Sequence, residues 1–345
     1  MEAFLPTLWF VLIAVLWGGY LFLEGFDLGV GMHLLFSTRS DTDRRVMLNT
    51  IGPVWDGNEV WLITAAGATF AAFPFWYASL FSTLYVPLVL VLLGLIFRAV
   101  AIEYRGKGHS ARWRRGWDAA LGVGSLVSAF GVGAMLTLTT TGLPVDANGD
   151  GEGGAFGWLN GWALIGGLAV VGFCLAHSAA FLALKTEGAV RVRARRFVVR
   201  WSLPALLPMA LWVIGVQVLN GKAFTWLLVA AGFACAGWAW RSALRDREGR
   251  AFAGIGMFLL FGAASIFANV YPAVLPSTIS AGYDLTVQNA SSSPYTLGVM
   301  SVVAAFGIPL VLAYQAWTYW VFRKRVGGGS IPPARPVEPA VKARQ

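Results

Sequence analysis

Pro53-Val54-Trp55-Asp56-Gly57-Asn58-Glu59-Val60-Trp61 opens an apolar run that continues to Phe73. Two carboxylates, an amide and two indoles stand at its mouth, in a chain otherwise spent on Leu, Val, Ala, Phe and Gly. A second polar cluster, Glu24-Gly25-Phe26-Asp27-Leu28-Gly29-Val30-Gly31, lies toward the end of the preceding apolar run. An acidic group at hydrocarbon depth costs about 2.5–3.5 kcal/mol even on the lenient insertion scale. The apolar runs therefore decide the fold, and the acids inside them mark where function is to be sought.

Hydrophobic residues make up 57% of the 345 and charged residues 12%, about half the charge of a soluble domain. Runs long enough to cross a bilayer, about 18 residues or more, recur along the whole length. This predicts an all-α polytopic membrane protein with nine spans, at residues 5–35, 55–73, 78–102, 117–140, 158–184, 197–219, 223–240, 252–274 and 295–322. The first run has neither a basic stretch before it nor a small-residue cleavage site after it, so it reads as a retained helix. Residues 1–326 form one helical domain in this reading. Residues 327–345, rich in Gly and Pro, form a disordered tail.

Orientation follows from the cations. Of the 26 Lys and Arg residues, all but Arg98 and Lys222 fall in alternate loops or in the tail. That side is cytoplasmic by the positive-inside rule, which puts the N-terminus outside and the C-terminus inside. The same distribution accounts for the net charge of +9 through membrane topology and anionic lipid, and nucleic acid is not a partner. Cys174 and Cys235 each lie within an apolar run and read as small buried hydrophobes. Tryptophans such as Trp9, Trp158, Trp226 and Trp317 read as interfacial anchors.

Asp56 and Glu59 are three apart, on one helical face. Their spacing also fits a capping box, with Asp56 as N-cap and Glu59 at N3, and a capping carboxylate that faces water can also take up protons. Glu24 and Asp27 repeat the spacing near the end of the first helix, where a polar helix end among headgroups is the plainer expectation. Gly25 and Gly29 are spaced for close helix contact. Arg98, with Glu103 beyond it, either snorkels or neutralises one of these acids; beside Asp56 or Asp27 it would leave that acid ionised.

The histidines are His33, His109 and His177, and only His177 lies well inside a span. A lone interior His gives no converging ligand set for haem or metal. Asp146-Ala147-Asn148-Gly149-Asp150-Gly151 begins like a calcium loop, but Gly157 stands where the closing Glu belongs, so an acidic surface loop is expected. The loop at 271–293 is long enough to be a lid or a docking surface. Two functions fit these features. One is a proton-coupled transporter. The other is a subunit that supplies proton access to a complex whose cofactors sit in a partner, which the clustering of acids in the first three spans favours.

Gly25-Phe26-Asp27-Leu28-Gly29-Val30-Gly31, Arg44-Arg45, Trp55-Asp56-Gly57-Asn58-Glu59-Val60-Trp61-Leu62, Phe97-Arg98 with Glu103-Tyr104-Arg105, and Tyr271-Pro272 with Pro276-Ser277 together resemble subunit II of the bacterial cytochrome bd-type quinol oxidases. The resemblance runs from the first span to the last. It implies a plasma-membrane complex with a haem-binding subunit I, and also small accessory membrane peptides and lipids as neighbours. That partner would hold haem b and haem d, or b-type haem only, oxidise quinol and reduce oxygen to water; this chain would ligate no haem and no metal. The Asp of the Trp-Asp-Gly-Asn motif belongs in that family to a cytoplasmic proton pathway, a role that falls on Asp56. Glu59, Asp27 and Glu24 are the further carboxylates expected along it, with Arg98, Trp55, Asn58 and Glu103 as charge-pairing and structural residues.

Overall fold

A computed structural model describes residues 4–38, 40–108 and 110–331. His109 and residues 332–345, most of the expected tail, lie outside it. The described chain is helical: α1 (Phe4–Phe36), α2 (Asp41–Ile51), α3 (Trp55–Ala72), α4 (Pro74–Thr83), α5 (Tyr85–Tyr104), α6 (Ala111–Thr141), α7 (Gly161–Lys185), α8 (Gly188–Asn220), α9 (Thr225–Leu244), α10 (Glu248–Val270) and α11 (Pro294–Val321). Eight of these, α1 and α5 to α11, are long and apolar enough to cross a membrane. The second expected span is α3, whose 18 residues begin with the polar Asp56, Asn58 and Glu59.

The third expected span, residues 78–102, is two helices. Pro87 has no N–H to give the Thr83 carbonyl, and α4 stops at Thr83, whose Oγ1 turns back to Ser79 O at 2.7 Å. The backbone N–H of Leu84 still closes α4 on Leu80 O, and its carbonyl starts α5 by accepting from Leu88 N. α2 is also unexpected. Ser40 caps it by accepting from Asp43 N, and it bridges α1 to α3 with Val46, Met47 and Ile51 buried.

α7 is the central helix, with 78% of its apolar window buried against 6% for α11. Small residues permit this. A Cβ on Gly172 would collide with Ala205 O, and one on Gly166 with Thr137. The same holds where α1 crosses α7. A side chain at Gly29 would meet Cys174 O and Ser178 Oγ, while Gly25 faces the Phe173 ring. Cys174 is buried in this contact, and both cysteines are free.

The basic loops meet at one end of the bundle. Arg105 pairs with Asp41 at 2.7 Å and also with Asp118; Arg114 reaches Asp41 at 3.2 Å and Arg44 reaches Asp118 at 3.3 Å. Arg193 holds Asp43 at 2.7 Å and Arg191 holds Glu248 at 2.6 Å. The chain after α11 folds back beneath this end. Val326 N donates to Lys185 O at 2.8 Å, Glu187 N donates to Val326 O at 3.1 Å, and Ile331 packs against the local apolar cluster. The pairing lies at Val326, the last residue of the expected helical domain, and beyond it Gly328–Ser330 form a short 3-10 turn.

At the opposite end the 271–293 loop is a packed cap. Strands β1 (Ala273–Leu275) and β2 (Leu285–Thr286) pair antiparallel, and Val274, Leu275, Leu285, Val287 and Ala290 are in the core. Of the expected anchors, Trp226 and Trp317 are exposed, but Trp9 is buried and donates to Leu297 O and Ser301 Oγ on α11 at 3.2 and 3.0 Å.

Two outcomes follow. Gly29→Val forces α1 off α7 and, at about 1–3 kcal/mol for overpacking, lowers the thermal midpoint of the detergent-solubilised protein; Gly57→Ala, which meets nothing within 4 Å, does not. At Asp41, burial alone would raise the carboxyl, but the hydrogen bond from Arg105 and the charges of Arg105, Arg114 and Arg45 hold it below its ordinary value. Its stabilising contribution is therefore present above about pH 4 and lost as pH falls through the depressed folded value. Amide exchange in α2 accelerates in that acidic range in the wild type, and less so in Asp41→Asn.

Candidate functional site

α3 starts at Trp55, two residues earlier than a cap at Asp56 requires. The N-cap is Val54, with φ −129° and ψ −23°, and no described side chain caps it. Asp56 therefore sits inside the first turn with its side chain exposed. The capping-box expectation fails because the backbone turns helical at Trp55, and Glu59, one turn deeper, meets Arg98 of α5 instead.

Glu59 Oε2 lies 3.2 Å from Arg98 Nη1, with its side chain 20% exposed. Arg98 reaches from α5 and is fully buried. Its Nη2 is 2.7 Å from Glu24 Oε1, and Glu24 is fully buried as well. The Trp55 ring covers the guanidinium at 5.8 Å, a cation–π contact. Arg98 thus pairs with Glu24 and Glu59, two of the four acids it was expected to meet. Glu24 and Asp27 are not at a headgroup-facing helix end. Both are at 0% exposure, because the glycines around them let α1 sink against α7. Glu103, five residues past Arg98, is exposed and stands outside the cluster.

Asp27 takes its hydrogen bond from Asn58, whose Nδ2 is 2.7 Å from Asp27 Oδ2 and 3.4 Å from Leu23 O. Asn58 Oδ1 accepts from Gln315 Nε2 at 3.1 Å and from Tyr319 OH at 2.7 Å, both on α11. Trp61 Nε1 donates to Gln315 Oε1 at 2.9 Å. Gln315 and Tyr319 went unnoticed in the sequence. The available signal was Gln315, the single side-chain amide within α11, a polar group in a spanning run.

Three carboxyls, Glu24, Asp27 and Glu59, share one guanidinium. Glu24 Oε2 and Asp27 Oδ1 accept no hydrogen bond from the described residues, and the Tyr20 hydroxyl beside them has no partner among those residues either. Exposure falls stepwise along the set: Asp56 faces outward, Glu59 is half-buried, and Glu24 and Asp27 are closed off. The arrangement can pass protons between carboxyls, with one fixed cation to hold negative charge in their midst.

Both described histidines turn Nε2 to a backbone carbonyl. His33 Nε2 is 3.1 Å from Leu175 O and His177 Nε2 is 3.1 Å from Phe22 O. The His177 ring is stacked between Phe252 and Phe173, at centroid distances of 4.3 and 4.9 Å. Among the described residues no three His, Cys, Asp or Glu side chains gather as a metal site. In the 146–151 loop, Asp146 Oδ1 is spent on Asn148 N and Asp150 N at 2.8 and 2.9 Å.

The family described as cytochrome bd terminal oxidase subunit II matches residues 5–322. The chain is 40% identical over 330 residues to cytochrome bd ubiquinol oxidase subunit 2 of Bacillus subtilis, covering 94% of this chain and 97% of that one. It is 33% identical over 360 residues to cytochrome bd-I ubiquinol oxidase subunit 2 of Escherichia coli, with 93% and 95% covered. A chain in the structure of the bd oxidase from Geobacillus thermodenitrificans superposes with a TM-score of 0.76 at 18% identity, over 92% of this chain and 98% of that one, which shows a shared fold.

Removing one member of a buried ion pair strands the other, at about 3–5 kcal/mol. Arg98→Gln therefore sharply reduces the yield and thermal midpoint of the solubilised protein. Arg112→Gln, in an exposed position, leaves both as they are. Equal yields and midpoints for the two variants would refute the pairing.

Proposed function

This chain belongs to the cytochrome bd terminal oxidase subunit II family, and on that premise we propose that it carries protons from the cytoplasm toward an oxygen-reducing centre held by its partner subunit. The relatives are named as ubiquinol oxidase subunits. The haems and the quinol site belong, in this reading, to subunit I of the same complex in the bacterial plasma membrane. Reduction of oxygen to water consumes protons, so such a complex needs a route for them through otherwise apolar helices.

The observation that carries the proposal is the graded burial of four carboxyls from the Arg-rich end inward. Asp56, exposed in the first turn of α3, exchanges with water. Glu59 receives the proton one turn deeper, beside Arg98. Glu24 and Asp27 are fully enclosed and take it onward. Arg98 sets the charge balance. A lone buried carboxylate costs several kcal/mol, and one guanidinium offsets one carboxylate, so the surplus acids are at rest only when a proton is present among them. The cluster therefore loads and unloads protons at fixed positions.

Asp56→Asn tests this. The amide keeps the size and an acceptor oxygen but cannot bind and release a proton near neutral pH. The expected result is a complex assembled with its full haem content, with quinol-driven oxygen consumption and proton uptake from the cytoplasmic side slowed about tenfold or more. Normal turnover with normal proton uptake would remove Asp56 from the pathway.

A further inference from the structure

Trp61, Gln315, Asn58 and Asp27 form a chain of hydrogen bonds whose direction is set at both ends. An indole N–H can only donate, so at 2.9 Å from Trp61 Nε1 the facing Gln315 atom is its oxygen. The Gln315 amide nitrogen then faces Asn58, which must present its own oxygen at 3.1 Å. Tyr319 OH, 2.7 Å away, donates to the same oxygen. At the other end Leu23 O can only accept, which independently requires the Asn58 nitrogen to face α1. Reversing the Asn58 amide would set like atoms against each other at both ends.

We infer that Trp61, Gln315 and Tyr319 are positioning residues that lock the Asn58 amide with its N–H on Asp27, so that the seating of α11 sets how readily Asp27 holds a proton. The inference rests on the proton-carrying role proposed above and assigns a control to it. α11 has few other attachments, since Leu297 is its one buried residue. It is pinned at one end through Trp9 and at the other through this network. A donor aimed at a carboxylate stabilises its charged form, and on the Oδ1 side of Asn58 it is α11 that supplies both groups holding the amide in this orientation. Several other groups face Asp27: Glu24 from its own helix, Glu59 from α3, Arg98 from α5 and the Tyr319 hydroxyl from α11. From α7, the Cys174 thiol lies against Gly25, and His177 is turned to Phe22 O. Glu24 lies close enough to share a hydrogen bond with Asp27 when one of the two carboxyls carries a proton, whereas the Asn58 amide donates to Asp27 whatever the protonation of its neighbours.

The test uses the complex purified with its partner subunit and infrared difference spectra recorded against pH. The protonated-carboxyl band that disappears in Asp27→Asn is assigned to Asp27. In Gln315→Met and Tyr319→Phe that band persists to higher pH than in the wild type, and in the double variant its midpoint rises by roughly one pH unit, the loss of one directed donor. Val311→Ala, elsewhere on α11, leaves it in place. If Gln315→Met disturbs assembly, Tyr319→Phe alone removes one donor to Asn58 Oδ1 without adding a charge, and it produces a smaller upward shift. A midpoint unchanged in all of these variants overturns the lock. The outcome is separable from that of the pathway. Normal oxygen consumption in Asp27→Asn removes Asp27 from proton transfer whatever its band does. Slowed consumption in Asp27→Asn with an unmoved band in the α11 variants overturns the lock alone.

Discussion

The buried guanidinium of Arg98 is the constraint around which the first helices are arranged. A cation at zero exposure in an apolar bundle stands only with acids in contact, and α1 and α3 each bring one to it. Bringing Glu24 to Arg98 requires α1 to pack deeply, which the absence of side chains at Gly25 and Gly29 allows against α7. Bringing Glu59 requires α3 to start at Trp55, so that one turn later its carboxyl points inward and its indole covers the guanidinium. The polar cluster and the small-residue packing are thus two sides of one solution. Close backbone approach excludes lipid from the charges, and the charge pairing fixes the register of the helices that approach.

The two ends of the bundle are held by different means. At the Arg-rich end, ion pairs between α2, α6, α8 and α10 join elements far apart in sequence, and the residues after α11 add backbone pairing to α7. These contacts are half-exposed, individually weak and sensitive to salt; their number is what makes a floor. At the other end a short strand pair and buried aliphatic side chains form a cap. Between them α11 leans on the bundle through a few polar contacts, which leaves most of its surface free for lipid or another chain.

Much was legible in the chain because its signals are local. Apolar run length is a property of consecutive residues, and so is the alternation of cations between loops. All-α membrane architecture followed from these, and the motif around Asp56 was enough to recognise the family. Where the expectations missed, the deciding fact was not local. Pro87 is the exception, since it broke the third span through a carbonyl only four residues back. The headgroup-facing reading of Glu24 and Asp27 failed because burial depends on what packs over a helix end. Val326, just past the last span, satisfies the free Lys185 carbonyl at the end of α7, a partner that no local pattern points to.

The sequence by itself determined that the chain is a bundle of membrane helices, which family it belongs to, and which residue types carry its polar chemistry. Hydropathy, charge placement and a dense motif are all readable along one dimension. Only the tertiary structure decided which acid meets Arg98, that Asn58 serves Asp27, and that Gln315 and Tyr319, more than 250 positions away, complete the set. Hydrogen bonds and ion pairs act over about 3 Å, and which side chains come that close is settled by how glycine-lined helices pack. No spacing in the sequence records it.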